Sequence, residues 1–429
     1  MIPNPSLATL SRKIAFSTLV QYAGKAVKLV LSILTLKLIS NFLSQQDYGI
    51  YSAISEYVLF FATIANLGIF GQMVRSMADA PKDGKIFINT LLLRMVTAGI
   101  FGVLAVGVLL VRGTPMVFVL GTLIFLGSVM FDYVVSVCTG MLQANYLMGR
   151  ATIADLVGRV VNYGMIVWLV HGMTGTALGM NQVAFLFIAP LVSTIITAAL
   201  SLIFVMPKLE WSWKIDRRFM LKILWAGLPF GLINIINSLY FRFLPDYFAH
   251  MGLTDEQFGS FSIWFRGAQI VSLFSTFLMF SVLPGLKEYL DGGHIQKAKL
   301  LYTRMCQLLA AAGVGLVVLG SWLGPWAITL FTHKKYILPD FWFVLPLMLL
   351  LAAISYGYDL ILITLFALKK DLWLLKRELI ALGVSLVVFG FSLLVVDAPM
   401  KLLVVMLAAI IGESIMVISG LLKIKKIWP

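Results

Sequence analysis

The chain has 429 residues, of which 60% are hydrophobic and only 12% are charged. Average soluble domains are about 45–50% apolar and roughly 25% charged, so this composition excludes an ordinary water-soluble fold and predicts an integral membrane protein. The net charge of +14 would indicate nucleic-acid binding in a soluble protein. In a membrane protein it indicates basic connections on the cytoplasmic side, so no nucleic-acid partner is expected.

A spanning helix needs about 20 mainly apolar residues, and the sequence contains about twelve such runs. They lie at 14–39, 50–73, 86–110, 115–142, 151–172, 177–206, 219–245, 258–284, 304–332, 337–368, 376–396 and 400–424. A polar, basic connection at 207–218 separates the first six runs from the last six. We therefore predict an all-α membrane fold of two pseudo-symmetric six-helix lobes, 1–210 and 211–429.

A sequence repeat supports this division. The segment Leu43–Ser52, LSQQDYGIYS, returns as Leu253–Ser262, LTDEQFGSFS, displaced by 210 positions. The same displacement relates Arg94-Met95 to Arg304-Met305. Duplicated halves in a membrane protein are typical of transporters whose lobes rock around a shared site.

The distribution of lysine and arginine predicts the orientation. Most basic residues in the connections fall on the side that holds both termini. The opposite side has only Arg112, Lys334, Lys335 and Lys401. Basic connections favour the cytoplasm, so both termini are predicted there. Because each half has an even number of helices, the halves are predicted to be parallel repeats.

Two lysines fall near the middle of the first run. A charge there costs roughly 2.5–3.5 kcal/mol to insert, so it is a functional hypothesis by default. Lys25 and Lys28 share one helix face, and we expect them to face a watery cavity and hold an anion. The alternative is that they extend to the membrane surface or pair with a carboxylate on a neighbouring helix.

Glu56 and Arg266 occupy equivalent positions of the repeat, 210 residues apart. We expect them to face each other across a pseudo-two-fold axis, as a gate or as part of a substrate site. The alternative is that they are unrelated charges with local partners.

Further charges occur in pairs with helical spacing. Arg242 and Asp246 are four residues apart, as are Asp155 and Arg159. Each pair is predicted to be either a structural ion pair or part of a functional site, and a structural pair is favoured for Asp155 and Arg159 because they lie nearer the cytoplasmic end.

Asp132, Asp359 and Glu413 are isolated acids inside apolar runs. With Asp246 they are candidates for coupling to H⁺ or Na⁺, and the alternative is that a nearby hydroxyl satisfies each of them.

Arg94 and Arg304 are placed at the cytoplasmic edge of the third and ninth helices. We expect their side chains to extend to the membrane surface or to contact lipid phosphates.

The segment Gly227-Leu-Pro229-Phe-Gly231 begins the seventh run. Proline removes a backbone donor and kinks a helix, so Gly227, Pro229 and Gly231 are predicted to form a hinge. The alternative is a static kink with close helix packing.

Signatures of enzymes and metal sites are missing from the sequence. It has no HExxH spacing, no Walker motif and no glycine-rich loop between a strand and a helix. Cys138 and Cys306 support neither a metal site nor a disulfide framework. We therefore expect no enzyme activity, no cofactor and no hydrolysis of ATP.

The chain resembles the polysaccharide-biosynthesis flippases, the O-antigen (Wzx-type) transporters. The resemblance lies in Lys25–Leu36, Leu43–Ser52, Gly227–Phe230, Phe258–Ser262 and Pro284. These transporters belong to the MOP superfamily, which also contains lipid II flippases and MATE drug exporters. The resemblance implies two six-helix bundles that form a V-shaped cavity lined by helices 1, 2, 7 and 8.

The resemblance also implies a function in the biosynthesis of lipopolysaccharide or a similar surface polysaccharide. This function is the export of an undecaprenyl-pyrophosphate-linked oligosaccharide from the inner to the outer leaflet of the bacterial inner membrane. The implied partners are the bilayer, the lipid-linked glycan and other polysaccharide assembly proteins. Drug export and lipid II transport remain alternatives, and a membrane-embedded polymerase or ligase is the alternative from a different class.

Lys25, Lys28, Arg242 and Arg266, together with Glu56, are the predicted substrate site, because lysine and arginine both bind phosphate. The expected mechanism is alternating access. Its drive is either a gradient of H⁺ or Na⁺ or consumption of the product outside the cell.

Overall fold

The fold was analysed in a computed structural model. It describes residues 7–80, 82–145, 147–173, 181–332, 335–336, 342–395 and 397–428. The described residues are almost entirely helical. The helices are α1 (Leu7–Phe42), α2 (Gln45–Asn66), α3 (Ile69–Asp79), α4 (Gly84–Val111), α5 (Met116–Ala144), α6 (Met148–Met173), α7 (Asn181–Phe185), α8 (Ile188–Val205), α9 (Arg217–Ser238), α10 (Leu244–Gly252), α11 (Asp255–Asp291), α12 (Ile295–Thr332), α13 (Val344–Ala367), α14 (Asp371–Ser392) and α15 (Ala398–Ile427).

Each of the twelve apolar runs falls on one or more of these helices. The second run is divided between α2 and α3, because Leu67 and Gly68 both adopt positive φ and interrupt the helix. The seventh run is divided among α9, a π-helical turn at Leu239–Phe243 and α10. Among the described residues, nine helical segments are long and apolar enough to cross a membrane. The predicted all-α membrane fold is confirmed.

The helices form two compact units. The first comprises Met1–Leu43 and Ile54–Gly231, and the second comprises Ser44–Ala53 and Leu232–Pro429. The boundaries of these units therefore fall inside α2 and α9. The predicted lobes, 1–210 and 211–429, were defined by the sequence repeat and not by packing. They therefore stay a prediction.

The first unit is built around α5, which packs against α4, α6 and α8, while α1 packs along α6. The second unit is built around α13, which packs against α11, α12 and α15, while α14 packs along α15. In both units a long central helix packs against three neighbours, so the residues on its packed faces lie inside the unit.

The repeated sequence motif begins a helix in both halves. α2 begins at Gln45 and α11 begins at Asp255, again 210 positions apart. The Ser44 hydroxyl accepts a hydrogen bond from the backbone N–H of Asp47 (2.9 Å). The Thr254 hydroxyl accepts the equivalent bond from Gln257 (3.4 Å). Such caps satisfy N–H groups that have no partner within the helix, so the repeat retains a helix start.

The motif also creates a close backbone crossing within the second unit. A Cβ atom on Gly49 would lie 2.7 Å from the carbonyl oxygen of Asp255. A Cβ atom on Gly259 would collide with the carbonyl oxygen of Gln45. Each of these Cβ atoms would also lie 3.3 Å from the backbone nitrogen of the other glycine. The two sets of contacts correspond, because Gly259 and Asp255 lie 210 positions after Gly49 and Gln45. Equivalent residues that contact each other in this way are expected on a pseudo-two-fold axis.

The connection that follows α8 is anchored to the start of α4. Glu210 donates a backbone hydrogen bond to Lys82 and accepts one from Gly84. Asp216 forms an ion pair with Lys85 (2.8 Å) and caps α9 by accepting from the backbone N–H of Phe219 (3.0 Å). The Lys85 ammonium and these backbone donors hold the pKa of Asp216 below its usual value. The polar connection is therefore a folded part of the first unit.

We expect Gly259→Ala to destabilise the protein by about 1–3 kcal/mol, because the added methyl group meets a backbone carbonyl that cannot rotate away. The control is Gly267→Ala in the same helix, where no atom lies within 4 Å of the added Cβ. That control should be neutral or stabilising, since alanine favours helix more than glycine. The melting temperatures of the purified proteins in detergent provide the test. Equal melting temperatures for the two variants would contradict the crossing.

Candidate functional site

Three charged side chains contact one another inside the first unit: Lys28 on α1, and Asp155 and Arg159 on α6. Together with the nearby Asp132 on α5, we call them the first-unit charge cluster. The Lys28 ammonium lies 2.8 Å from Oδ2 of Asp155. The Arg159 Nε lies 3.9 Å from Oδ1 of the same carboxylate. Asp132 lies close enough to interact electrostatically with both cations. The sequence predicted the pair within α6, and the structure adds Lys28 as the nearer partner.

The cluster is accessible although it lies within membrane helices. The side chains of Lys28, Asp155 and Arg159 are 37%, 41% and 41% exposed, and Asp132 is exposed as well. Acyl chains offer no hydrogen-bond partners, so exposed charges on membrane helices are expected to face water or a polar ligand. Lys28 has the carboxylate partner that was one alternative for it. Whether it also faces a cavity stays a prediction.

Arg94 does not reach the membrane surface, so that prediction is wrong. α4 begins ten residues before it, at Gly84, and the side chain is 3% exposed. Its guanidinium donates to the side chains of Asn66 and Ser136 and lies 4.9 Å from the centre of the Tyr133 ring. Arg94 therefore joins α2, α4 and α5. Arg304, its counterpart in the repeat, is exposed.

Two buried glutamates lie together in the second unit, and with their partners we call them the second-unit carboxyl cluster. Glu378 on α14 accepts hydrogen bonds from the hydroxyls of Tyr240 (2.8 Å) and Tyr358 (2.6 Å). Glu413 on α15 lies 3.5 Å from both the Tyr240 hydroxyl and the Asn237 amide. The two glutamates are 0% and 1% exposed. Two like charges so close in an apolar interior repel each other and are costly to desolvate. The arrangement therefore suits the uptake of a cation or a proton.

Asp359 has the hydroxyl partners that were one alternative for it. It accepts hydrogen bonds from Ser275 (2.5 Å) and Thr276 (2.8 Å), both on α11. The acid thereby ties α13 to α11. Its role in ion coupling stays a prediction.

Sequence reasoning missed Glu378 because it directly follows Lys376 and Arg377, which mark the membrane surface. In the structure the buried positions of α14 are spaced by three or four residues and include Leu374, Glu378, Ala381 and Ser385. The basic pair lies off this stripe. The sequence signal that could have indicated a buried glutamate was the spacing of small or apolar residues at three or four positions on either side of Glu378.

The remaining substrate-site candidates are distributed over both units. Arg242 lies in the π-helical turn, with its guanidinium 5.5 Å from the centre of the Phe243 ring. Asp246 is buried on α10. Arg266 lies within 3.5 Å of the Ser52 hydroxyl. Glu56 is buried in the first unit. The predicted pairing of Glu56 with Arg266, and of Arg242 with Asp246, stays a prediction.

Lys25 lies on α1, three residues before Lys28, and its side chain lies outside the described residues. Its predicted contact with the substrate therefore stays a prediction.

The glycines around Pro229 have a packing role. α9 continues through Pro229, and Cβ atoms on Gly227 and Gly231 would lie 2.9 Å and 2.6 Å from backbone atoms of Gly68. Gly68 itself has a left-handed φ of 69°. This is the close packing that was the alternative to a hinge, and hinge motion stays a prediction.

Among the residues that the structure describes, no group of three or more His, Cys, Asp or Glu side chains could hold a metal ion. Cys138 is buried and Cys306 is partly buried, and both are free thiols.

Residues 10–289 match the model of the family described as "Polysaccharide biosynthesis protein". The chain belongs to this family. A search of curated proteins finds no match.

Solved structures of transporters share the fold across nearly the full chain. An inward-facing multidrug-resistance MATE transporter of the MOP superfamily is 13% identical with a TM-score of 0.72, covering 93% of this chain and 95% of its own. An outward-facing MATE transporter is 14% identical with a TM-score of 0.64, covering 97% and 96%. A MOP transporter from Pyrococcus furiosus, described as having a binding pocket of reverse polarity, is 14% identical with a TM-score of 0.66, covering 96% and 95%. The chain therefore has the MOP transporter fold, and the predicted family is confirmed.

We expect Glu378→Ala to destabilise the protein by about 2 kcal/mol, because two buried tyrosine hydroxyls lose their acceptor. Glu378→Gln keeps an acceptor oxygen and should cost less than half as much. The control is Asp371→Ala, which removes an exposed acid from the first turn of the same helix and should cost about 0.5 kcal/mol. Thermal unfolding in detergent at neutral pH measures all three variants. A Glu378→Ala protein as stable as Glu378→Gln would show that the tyrosines do not depend on this carboxylate.

Proposed function

We propose that the protein is a flippase for a polyprenyl-diphosphate-linked oligosaccharide, of the O-antigen or a related surface polysaccharide, in the bacterial inner membrane. The observation that carries the proposal is the accessible pair of cations, Lys28 and Arg159, inside the membrane helices of a chain from a polysaccharide biosynthesis family. A diphosphate and a sugar headgroup cannot enter hydrocarbon unaided, so a cationic site offers the headgroup a path. The polyprenyl tail remains in lipid.

Alternating access of the two repeats around this site is the proposed mechanism. Both termini lie in the cytoplasm, as the basic connections indicate. Lys25, Lys28, Arg242 and Arg266 contact the diphosphate in this proposal, and Arg159 joins them because it reaches the same carboxylate as Lys28. Glu56 is a further member of the substrate site in this proposal.

Drug export is the second candidate function, because MATE transporters share the fold. The first-unit charge cluster holds two accessible cations, Lys28 and Arg159, beside its two acids. These cations favour an anionic cargo, whereas a site for cationic drugs needs acids alone.

The substrate site is tested with Lys25→Ala combined with Lys28→Ala, expressed from a plasmid in a strain that lacks the gene. We expect loss of the surface polysaccharide, because the diphosphate loses two cationic contacts. Gel analysis of the polysaccharide and immunoblotting of the membrane fraction provide the measurement. Lys425→Ala with Lys426→Ala, which removes two exposed lysines from the last turn of α15, is the matched control and should restore the polysaccharide. Normal polysaccharide in the Lys25/Lys28 variant would remove these lysines from the mechanism.

The proposed drive is a gradient of H⁺ or Na⁺ acting on the second-unit carboxyl cluster. In proteoliposomes, a proton or sodium gradient should accelerate movement of a fluorescent polyprenyl-diphosphate disaccharide. Glu413→Gln should abolish this acceleration, since the cluster then holds one acid and no longer needs a cation between two. Asp397→Asn, at the exposed start of α15, is the control and should keep the acceleration. Gradient-dependent transport by Glu413→Gln would exclude this cluster as the coupling site.

A further inference from the structure

The Asp155 carboxylate bridges two cations on different helices. Its Oδ2 atom lies 2.8 Å from Lys28 Nζ on α1, and its Oδ1 atom lies 3.9 Å from Arg159 Nε on α6. Each oxygen of the acid therefore faces one cation. Two oxygens of a phosphate group can contact two cations in the same way as the two oxygens of a carboxylate.

Within the cluster, Asp132 and Asp155 balance Lys28 and Arg159, while Arg94 also interacts with Asp132. Lys28 and Arg159 attract an incoming anion fully only when they are released from their contacts with Asp155. Because Asp155 contacts both cations, it is the acid that an incoming phosphate has to displace.

The bridging contact is open enough to be exchanged. All three side chains are between one third and one half exposed, and partly exposed ion pairs are weak because water and salt screen them. A second ion pair in the same unit, Lys85 with Asp216, has the same length of 2.8 Å and similar exposure, 39% and 32%. It lies at the start of α4 and serves as an internal comparison.

We infer that Asp155 is a built-in competitor of the cargo: its carboxylate occupies the place between Lys28 and Arg159 that a phosphate group of the cargo takes. This inference rests on the proposed function. Cargo binds by displacing Asp155, and Asp155 returns to the two cations when the cargo leaves. A transport site has to bind its cargo weakly enough to release it. By competing with the cargo, Asp155 lowers the affinity of the site for the cargo. Asp155 is thus a positioning residue for release.

The experiment measures binding of farnesyl diphosphate to the purified full-length protein in detergent by isothermal titration calorimetry. Asp155→Asn should bind the probe about tenfold more tightly than the wild type, because the cations no longer have to leave a charged partner. Asp155→Glu keeps the acid and should bind like the wild type. In Asp155→Asn combined with Lys28→Ala, the gain should disappear, which a merely structural role of Asp155 would not predict.

The matched control is Asp216→Asn, which breaks the comparison ion pair and should leave the affinity for the probe unchanged. Short-chain phosphatidylglycerol is titrated in parallel, because its headgroup also carries a phosphate. A gain for farnesyl diphosphate supports the inference, and a gain confined to phosphatidylglycerol overturns it. Wild-type binding with an unchanged affinity in Asp155→Asn overturns the inference alone. Lack of binding by the wild type and all variants overturns the proposed function and the inference together.

Discussion

A charged side chain inside a bilayer needs a polar partner, because hydrocarbon supplies none. The two units meet this requirement in different ways. The first-unit charge cluster lies on an accessible face and pairs its charges as ions, Lys28 with Asp155 at 2.8 Å. The second-unit carboxyl cluster is completely buried, and hydroxyls contact its acids, as for Glu378 between two tyrosines. Accessible ion pairs exchange with ligands, whereas buried acids exchange with small cations. In the proposed function, the first cluster therefore receives the anionic cargo and the second receives the coupling ion.

The repeated motif illustrates how few residues a duplicated fold has to retain. Ser44 and Thr254 cap the starts of α2 and α11. Gly49 and Gly259 allow the two backbones to touch. The residues between them differ because any side chain that fits the helix suffices there. The two halves can therefore have low sequence identity and still be structurally equivalent where the backbones of Gly49 and Gly259 meet.

Much of the fold could be predicted from the sequence, because a run of apolar residues long enough to span hydrocarbon has few alternatives to a helix. The site could be predicted only in part. The partners Lys28 and Asp155 are 127 residues apart, and no local pattern links them. Arg94 was misplaced because its partners, Asn66 on α2 and Ser136 on α5, are distant in sequence and no local pattern indicates them. Glu378 was missed because two neighbouring basic residues concealed the buried face of α14.

The π-helical turn at Leu239–Phe243 makes the two copies of the repeat unequal. The corresponding part of the first copy lies in α1, which is an uninterrupted α-helix. A π-turn accommodates one inserted residue without ending the helix. Upstream of this turn, the residue that corresponds to a given position of α1 is therefore shifted by one, and Asn237 becomes the counterpart of Lys28. The two copies therefore present different side chains at this position, the Lys28 ammonium beside Asp155 in one and the Asn237 amide beside Glu413 in the other.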